Sequence, residues 1–241
     1  MKVNTLKKEH LLSQITEYFE QKIFLNHKEK SLKQNARLKS YNINPIVVRY
    51  LSKVLADDFT PIGVAKALYY PRVLGTSINT SFGDRIQKMF VELKLAEGSL
   101  IKGMDIEFED RIDGRKKWCQ LKSGPNTINS EDVKPLLKKF TAVTNLARTN
   151  SMLLNNNDLI MGVLYGTAGE LSQHYMTINE QYPVIVGQEF WHRLTGYEEF
   201  YHELVAELDT LIFSLPTDDF LNEGCLSLAK EIEESGMLNG G

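Results

Sequence analysis

The strongest constraint on the fold of this chain is a change of period just after Gly103. Residues 104–112 alternate largely between apolar and acidic side chains, which is the two-residue period of a strand with one buried face. Asp113-Gly114 follows, a dipeptide that suits a tight hairpin because both residues tolerate left-handed backbone. Residues 115–122 then return as the partner strand. With the turn at 113–114, Ile112 faces Arg115, Asp105 faces Lys122 and Glu107 faces Gln120. On the other side Ile106 faces Leu121 and Phe108 faces Cys119. One face is then apolar and fit for a core, while the other gathers Asp105, Glu107, Gln120 and Lys122. Opposed side chains on such a pair sit about 5 Å apart at Cβ. A one-residue slip would turn the apolar set to water, so the face assignment is well constrained.

Ahead of the hairpin the pattern is helical. Leu11, Leu12, Ile15, Phe19, Ile23 and Phe24 recur at helical spacing within residues 5–39. Asn44-Pro45 interrupts, residues 46–55 resume, and Thr60-Pro61 opens a further helix with proline in its first turn. Residues 75–80 read as a loop, after which Thr80 or Ser81 caps a helix carrying Ile86, Met89, Phe90 and Leu93 on one side. Beyond the hairpin, residues 123–129 are rich in turn formers, and Asn129 or Ser130 caps a helix towards Arg148. Residues 159–165 form an apolar strand buried on both faces, residues 182–186 a shorter one, and 188–194 and 197–213 are helical. The predicted fold is α/β: a mixed central sheet flanked by helices, plus a helical N-terminal region. As one domain, residues 1–100 are mainly helical, 101–196 form the core, and 197–241 add C-terminal helices.

A chain of 241 residues, 42% hydrophobic and 24% charged, can bury a core without metals or disulfides. Its two cysteines, Cys119 and Cys225, are too few for a disulfide framework and lack zinc spacing. That suits a reducing, cytoplasmic setting. No stretch near the start reads as a signal peptide, and no apolar run approaches the ~20 residues that cross a bilayer, so no membrane role is expected. The net charge of −3 weighs mildly against a nucleic-acid partner, but the charge is unevenly placed. Lys22, Lys28, Lys30, Lys33, Arg37, Lys39 and Arg49 face only Glu29 in their stretch, whereas Glu198, Glu199, Glu203, Glu207, Asp209, Asp218, Asp219 and Glu223 make the tail acidic. Either run taken alone is a solvated helix face.

Two acids, an amide and a lysine on one sheet face have a chemical use. Magnesium takes oxygen ligands, keeps several waters, and needs only one or two carboxylates beside a phosphate oxygen. The ion stabilises charge at phosphorus and lowers the pKa of a bound water. A nearby lysine can orient that water or neutralise developing charge. The same residues also suit a half-exposed hairpin with ordinary cross-strand ion pairs.

The spacing of Asp105 with Gln120-Leu121-Lys122, on a hairpin followed by a loop and a helix, resembles the PD-(D/E)xK nuclease superfamily. The stretch Gln120-Leu121-Lys122-Ser123-Gly124-Pro125-Asn126-Thr127-Ile128-Asn129 is more specifically similar to type II restriction endonucleases. So are Arg72-Val73-Leu74-Gly75-Thr76 with Thr80-Ser81-Phe82-Gly83, and Val186-Gly187-Gln188-Glu189-Phe190-Trp191-His192-Arg193-Leu194-Thr195-Gly196. The nearest subgroup is the one that cuts palindromes of the GGNCC type. The resemblance implies a restriction-endonuclease-like core and magnesium-dependent cleavage of double-stranded DNA, leaving a 5′-phosphate and a 3′-hydroxyl. It also implies a homodimer, with the N-terminal helices helping to dimerise or clamp DNA, and a partner methyltransferase. Its catalytic residues fall on Asp105, Gln120 and Lys122, and its metal set on Asp105, Glu107, Gln120 and Leu121. Gln87 takes the supporting position on the preceding helix. DNA contacts are implied for Arg72, Thr80, Ser81, Ser123, Asn126, Thr127 and Asn129. Gln120 departs from the family, which has Asp or Glu there, so one negative charge is missing. Met104 stands where the superfamily name has proline.

Three alternatives belong beside this reading. A structure-specific repair nuclease or resolvase has the same fold, a catalytically inactive DNA-binding module would explain Gln120, and a purely structural helical protein with an accessory hairpin would not bind DNA. Ser123, Asn126, Thr127 and Asn129 also suit turns and caps. Phe190-Trp191 reads as core. The five histidines form no motif, and Gly162, Gly166 and Gly169 precede no lysine-Ser/Thr pair, which excludes a phosphate loop.

Overall fold

The computed structural model describes residues 5–150, 153–216 and 219–238. Among them the α-helices are Thr5–Tyr18 (α1), Leu25–Lys30 (α2), Pro45–Ala56 (α3), Pro61–Pro71 (α4), Ile78–Glu92 (α5), Ser130–Thr149 (α6), Gln173–Asn179 (α7), Gln188–Thr195 (α8), Phe200–Ser214 (α9) and Phe220–Ser235 (α10). The strands are Glu97–Gly98 (β1), Ile106–Glu109 (β2), Lys116–Lys122 (β3), Leu159–Val163 (β4) and Val184–Val186 (β5). The chain divides into two compact units, residues 1–16 with 83–212, and residues 17–82 with 213–241. Asp218, one of the acidic tail residues, lies outside the described residues.

The first unit holds a mixed sheet in the order β1-β2-β3-β4-β5. Strands β1 to β3 run antiparallel, and β3 to β5 run parallel. Parallel neighbours need a crossover, and α6 supplies it between β3 and β4. Strand β4 is buried along its whole length, as its unbroken apolar run dictates. On one face Trp118, Leu159, Met161 and Val163 pack with Val133, Leu136, Phe140 and Val143 of α6 and Tyr175 and Ile178 of α7. Phe140 stacks on Tyr182 with ring centroids 4.7 Å apart. On the other face Phe190 meets Phe108 and Phe90, and Phe90 meets Trp191. A Cβ at Gly162 would lie 2.6 Å from Phe190 and 2.8 Å from Cys119 Sγ, so glycine is needed for the layer to close on β4. Trp191 is core, as read from the sequence, and its indole nitrogen donates to the Leu164 carbonyl at 2.9 Å. Burying an aromatic of this size contributes about 1.5–3 kcal/mol.

The hairpin differs from the sequence reading in register. Ile106 pairs with Cys119, Glu107 with Trp118, Phe108 with Lys117 and Glu109 with Lys116. The ladder is therefore shifted by two residues, and Glu107 does not stand opposite Gln120. The cause lies at the turn. Asp110 Oδ1 accepts from the Ile112 and Asp113 amides, and Asp110 N donates to the Arg115 carbonyl at 2.9 Å. The turn thus occupies residues 111–114 rather than Asp113-Gly114 alone, with Gly114 in the left-handed region at φ +68°. A shift of two leaves the side-chain faces unchanged, because the pleat repeats every two residues.

The second unit is helical. Val48 of α3, Val64, Ala65, Ala67 and Tyr69 of α4, and Cys225, Leu228 and Ile232 of α10 form its core. Asn44 caps α3 by accepting from Ile46 N and Val47 N, and Thr60 caps α4 by accepting from Gly63 N. Helix α10 lies so close to α4 that a Cβ at Gly224 would come 2.0 Å from the Tyr69 hydroxyl oxygen.

Residues 75–80, expected to be a loop, are helical instead. The π-helical segment Arg72–Ser77 runs directly into α5, so Thr80 and Ser81 lie inside a helix and cap nothing. Gly75 and the polar run weaken the ladder locally, but side chains support it. His27 Nε2 hydrogen bonds the Val73 carbonyl at 3.0 Å, and Asn35 Nδ2 donates to Ser77 Oγ at 3.2 Å. Part of the basic run is also neutralised, by Lys33 with Glu29 and Arg37 with Glu231.

Candidate active site

At the open end of the hairpin the two strands make an irregular exit. Ile106 is the ladder partner of Cys119, and Asp105 N donates to the carbonyl of the same Cys119 at 2.9 Å. Two residues against one is the arrangement of a bulge, which re-aims side chains. The Asp105 carboxylate turns to the β3 backbone, and its Oδ2 accepts from Leu121 N at 2.7 Å. Gln87 of α5 donates from Nε2 to the Asp105 carbonyl at 2.9 Å, so the supporting-helix residue does reach this strand end.

Burial pushes the Asp105 carboxyl above its ordinary value, while the Leu121 amide and the charges of Lys139 and Lys122 pull it back. A half-buried carboxylate raised by desolvation and felt by two lysine charges is the kind of perturbed group that functional sites favour. Gln120 is buried, 4% exposed, and its Oε1 accepts from Lys139 Nζ at 3.1 Å. Lys139, on α6, is the residue that sequence reasoning missed. Its spacing gave a partial signal: it lies three residues after Leu136 and four before Val143, at the exposed edge of the stripe α6 turns to the sheet.

Glu107 is drawn elsewhere. Its Oε1 accepts from Ser99 Oγ at 2.7 Å and its Oε2 lies 2.6 Å from Lys116 Nζ. Burial acts to raise the Glu107 carboxyl, but Lys116 and Ser99 outweigh it and carry it below the ordinary value. The structure thus brings together Asp105, Gln120, Leu121, Lys139 and Gln87, with the charge of Lys122 acting on the same carboxylate.

The loop after Lys122 is pinned from below. A Cβ at Gly124 would fall 2.4 Å from the Tyr165 ring, so the loop backbone rests directly on that ring. Thr127 Oγ1 donates to the Gly124 carbonyl at 2.9 Å, and Tyr175 donates to the same carbonyl at 3.1 Å. Asn129 caps α6, accepting from Glu131 N at 2.8 Å and Asp132 N at 3.2 Å, while Asp132 returns a bond to Asn129 N. Asn126 is exposed and Ser123 half-buried. Arg72 and Thr80, both exposed, and Ser81 belong to the second unit.

Among the described residues no group of three or more His, Cys, Asp or Glu side chains stands ready for a metal. The donors at the strand end are all oxygen: the Asp105 carboxylate, the Gln120 amide oxygen and the Leu121 carbonyl. That set fits one hard cation that keeps most of its waters, and it is too poor in charge for a dedicated cage. No described helix is long and apolar enough to cross a membrane.

An acid leaving a bulged strand, with an amide and a lysine two residues apart on the next strand of a helix-flanked mixed sheet, defines the class: a restriction-endonuclease-like fold with a polar site at the end of its hairpin. Comparison of sequences narrows the class. The family model for type II restriction endonuclease EcoO109I matches residues 13–212, most of the chain, and the chain belongs to that family. It is a DNA-cleaving hydrolase. None of the curated proteins compared with it matches.

Proposed function

We propose that the chain is a magnesium-dependent type II restriction endonuclease of the PD-(D/E)xK kind, hydrolysing one phosphodiester in each strand of duplex DNA at a short palindrome. The convergence of Asp105, Gln120 and the charge of Lys122 at one strand end carries this reading. Asp105 and the Leu121 carbonyl would hold the cation, Gln120 would lie beside it with its Oε1 bonded to Lys139, and Glu107 stays with Lys116. When bound, magnesium supplies Lewis-acid stabilisation at phosphorus and lowers the pKa of a coordinated water. Lys122 orients the attacking water and neutralises charge as the phosphorus–O3′ bond breaks, leaving a 5′-phosphate and a 3′-hydroxyl. Gln87 holds the Asp105 backbone, so the carboxylate need not reorganise. Ser123 and Asn126 on the pinned loop, and Arg72, Thr80 and Ser81 in the helical unit, are proposed DNA contacts. Thr127 and Asn129 contribute by shaping the loop.

A palindromic site, of the GGNCC type by resemblance, calls for a two-fold homodimer, each copy reading one half. Helix α3 leaves Ile46, Tyr50 and Val54 exposed at four-residue spacing, an apolar stripe suited to a second copy. A cognate methyltransferase would protect the host DNA in the same cytoplasm.

The test is incubation with methylation-free phage DNA, with and without magnesium, beside Lys122→Ala. Discrete fragments from the parent alone, and only with metal, are expected. Tight duplex binding without nicks would favour the inactive DNA-binding module that the neutral Gln120 suggests, and neither binding nor cleavage would sink the nuclease reading.

A further inference from the structure

Lys139 enters the site from the helical layer rather than from the sheet. Its stem passes Gly103, where a Cβ would come 3.2 Å from Lys139 Cγ, and Gly103 sits at φ +100°. A side chain there would be strained and would crowd the lysine. The Nζ ends 3.1 Å from Gln120 Oε1. That partner is neutral, so the bond positions the ammonium without cancelling its charge. Among the described residues no carboxylate forms an ion pair with Lys139, and its charge acts on Asp105 together with that of Lys122. One carboxylate therefore answers to two ammonium groups. The surplus is positive at the point where a phosphate must arrive for Lys122 to act on it.

Resting on the hydrolytic reading above, we propose that Lys139 is a further catalytic residue, its Nζ contacting a non-bridging oxygen of the phosphate being cut. It supplies there the charge that a second divalent cation supplies in two-metal sites. Gln120 and Lys139 are then one device. A carboxylate at position 120 would bind a second cation but would capture the ammonium 3 Å away. The amide holds the lysine in place and leaves its charge for the substrate. The site uses a fixed ammonium in place of an acid and the metal that acid would hold.

The experiment pairs duplex binding in EDTA across a salt series with single-turnover cleavage in magnesium, for the parent, Lys139→Met, Lys139→Arg and the double variant Gln120→Glu/Lys139→Met. Methionine keeps an unbranched apolar stem over Gly103 and removes the ammonium, with its charge and its bond to Gln120. Lys139→Met is expected to flatten the slope of log affinity against log salt by about one phosphate contact. Its cleavage should fall about a hundredfold, with arginine retaining most of the rate. The double variant, which restores an acid without the competing ammonium, should cut about tenfold faster than Lys139→Met and need less magnesium for half-maximal rate. An unchanged salt slope and rate in Lys139→Met, with only a lower melting temperature, would overturn the proposal and leave the nuclease reading standing. So would a double variant no faster than Lys139→Met. A parent chain that neither binds nor cuts duplex sinks both.

Discussion

The two ends of one hairpin treat charge in opposite ways. At the turn every charge is matched. Asp158, 1% exposed, accepts from Arg115 Nε at 2.7 Å, from a second Arg115 guanidinium nitrogen, and from Lys117. Lys117, 2% exposed, reaches Asp113 at 2.6 Å and the Asn157 carbonyl at 3.1 Å. Asp110 takes Arg193 at 2.8 Å. At the open end Asp105 is desolvated, accepts from the Leu121 amide and only feels the charges of Lys139 and Lys122, and Gln120 brings no charge at all. The Arg115 bond carries the Asp158 carboxyl down to about 2 against its burial, whereas burial pushes Asp105 up. An aspartate from the turn before β4 thus anchors the closed end of the hairpin, while the aspartate at its open end remains under-paired.

The largest expected effect breaks the matched end. Asp158→Ala deprives Lys117 and Arg115 of their buried anion and should cost about 3–5 kcal/mol in denaturant unfolding at neutral pH. A loss below about 1 kcal/mol would show that this cluster is solvated and does not anchor the turn.

The comparison sharpens with pH. The Asp158 carboxyl sits at about 2 in the folded chain against an ordinary 3.8, so its stabilisation is complete above that ordinary value and disappears as pH falls through about 2. Asp105 has the opposite sign. Its raised carboxyl binds a proton more readily when folded, so its contribution to stability declines as pH rises from the ordinary value through the raised one. Asp105→Asn should therefore abolish cleavage while holding or raising the melting temperature at pH 7. A clear fall in melting temperature would make Asp105 a structural anchor like Asp158.

Glu107→Gln is the smallest step. Its partners are Lys116 and Ser99 and it is buried, so the change should cost about 1.5–3 kcal/mol and leave the magnesium dependence of cleavage where it was. A raised magnesium requirement would put Glu107 into the metal shell.

Which residues share a face of the hairpin was legible because the pleat has a period of two, but the face of Glu107 and Gln120, read as polar, also carries Trp118 and is packed with α6. The turn length was not legible. It depends on Asp110, whose carboxylate is fixed by Arg193, 83 positions along the chain. The bulge at Asp105 has no compositional signature, since it is a relation between two strands. Lys139 was hidden by its own type: a lysine on an amphipathic helix is usually solvated, Lys139 is exposed as well, and only its bond to Gln120 across the layer marks it. Gly75, Thr80 and Ser81 suggested a break because local propensity favours one, and the support from His27 and Asn35 comes from more than forty residues away. The strand read at 159–165, observed at 159–163, the helix start at Thr60-Pro61 and the cap at Asn129 were legible because their determinants are local.

The helical unit is assembled from both ends of the sequence, with α10 filling the core that α3 and α4 begin. On a ribosome, chains emerge from the N-terminus and domains tend to fold as units. Residues 83–212, with the sheet and its acidic strand end, are therefore synthesised before Cys225, Leu228 and Ile232 exist to close the helical core. The sheet unit is thus complete in sequence before the helix that seals the helical core has been made.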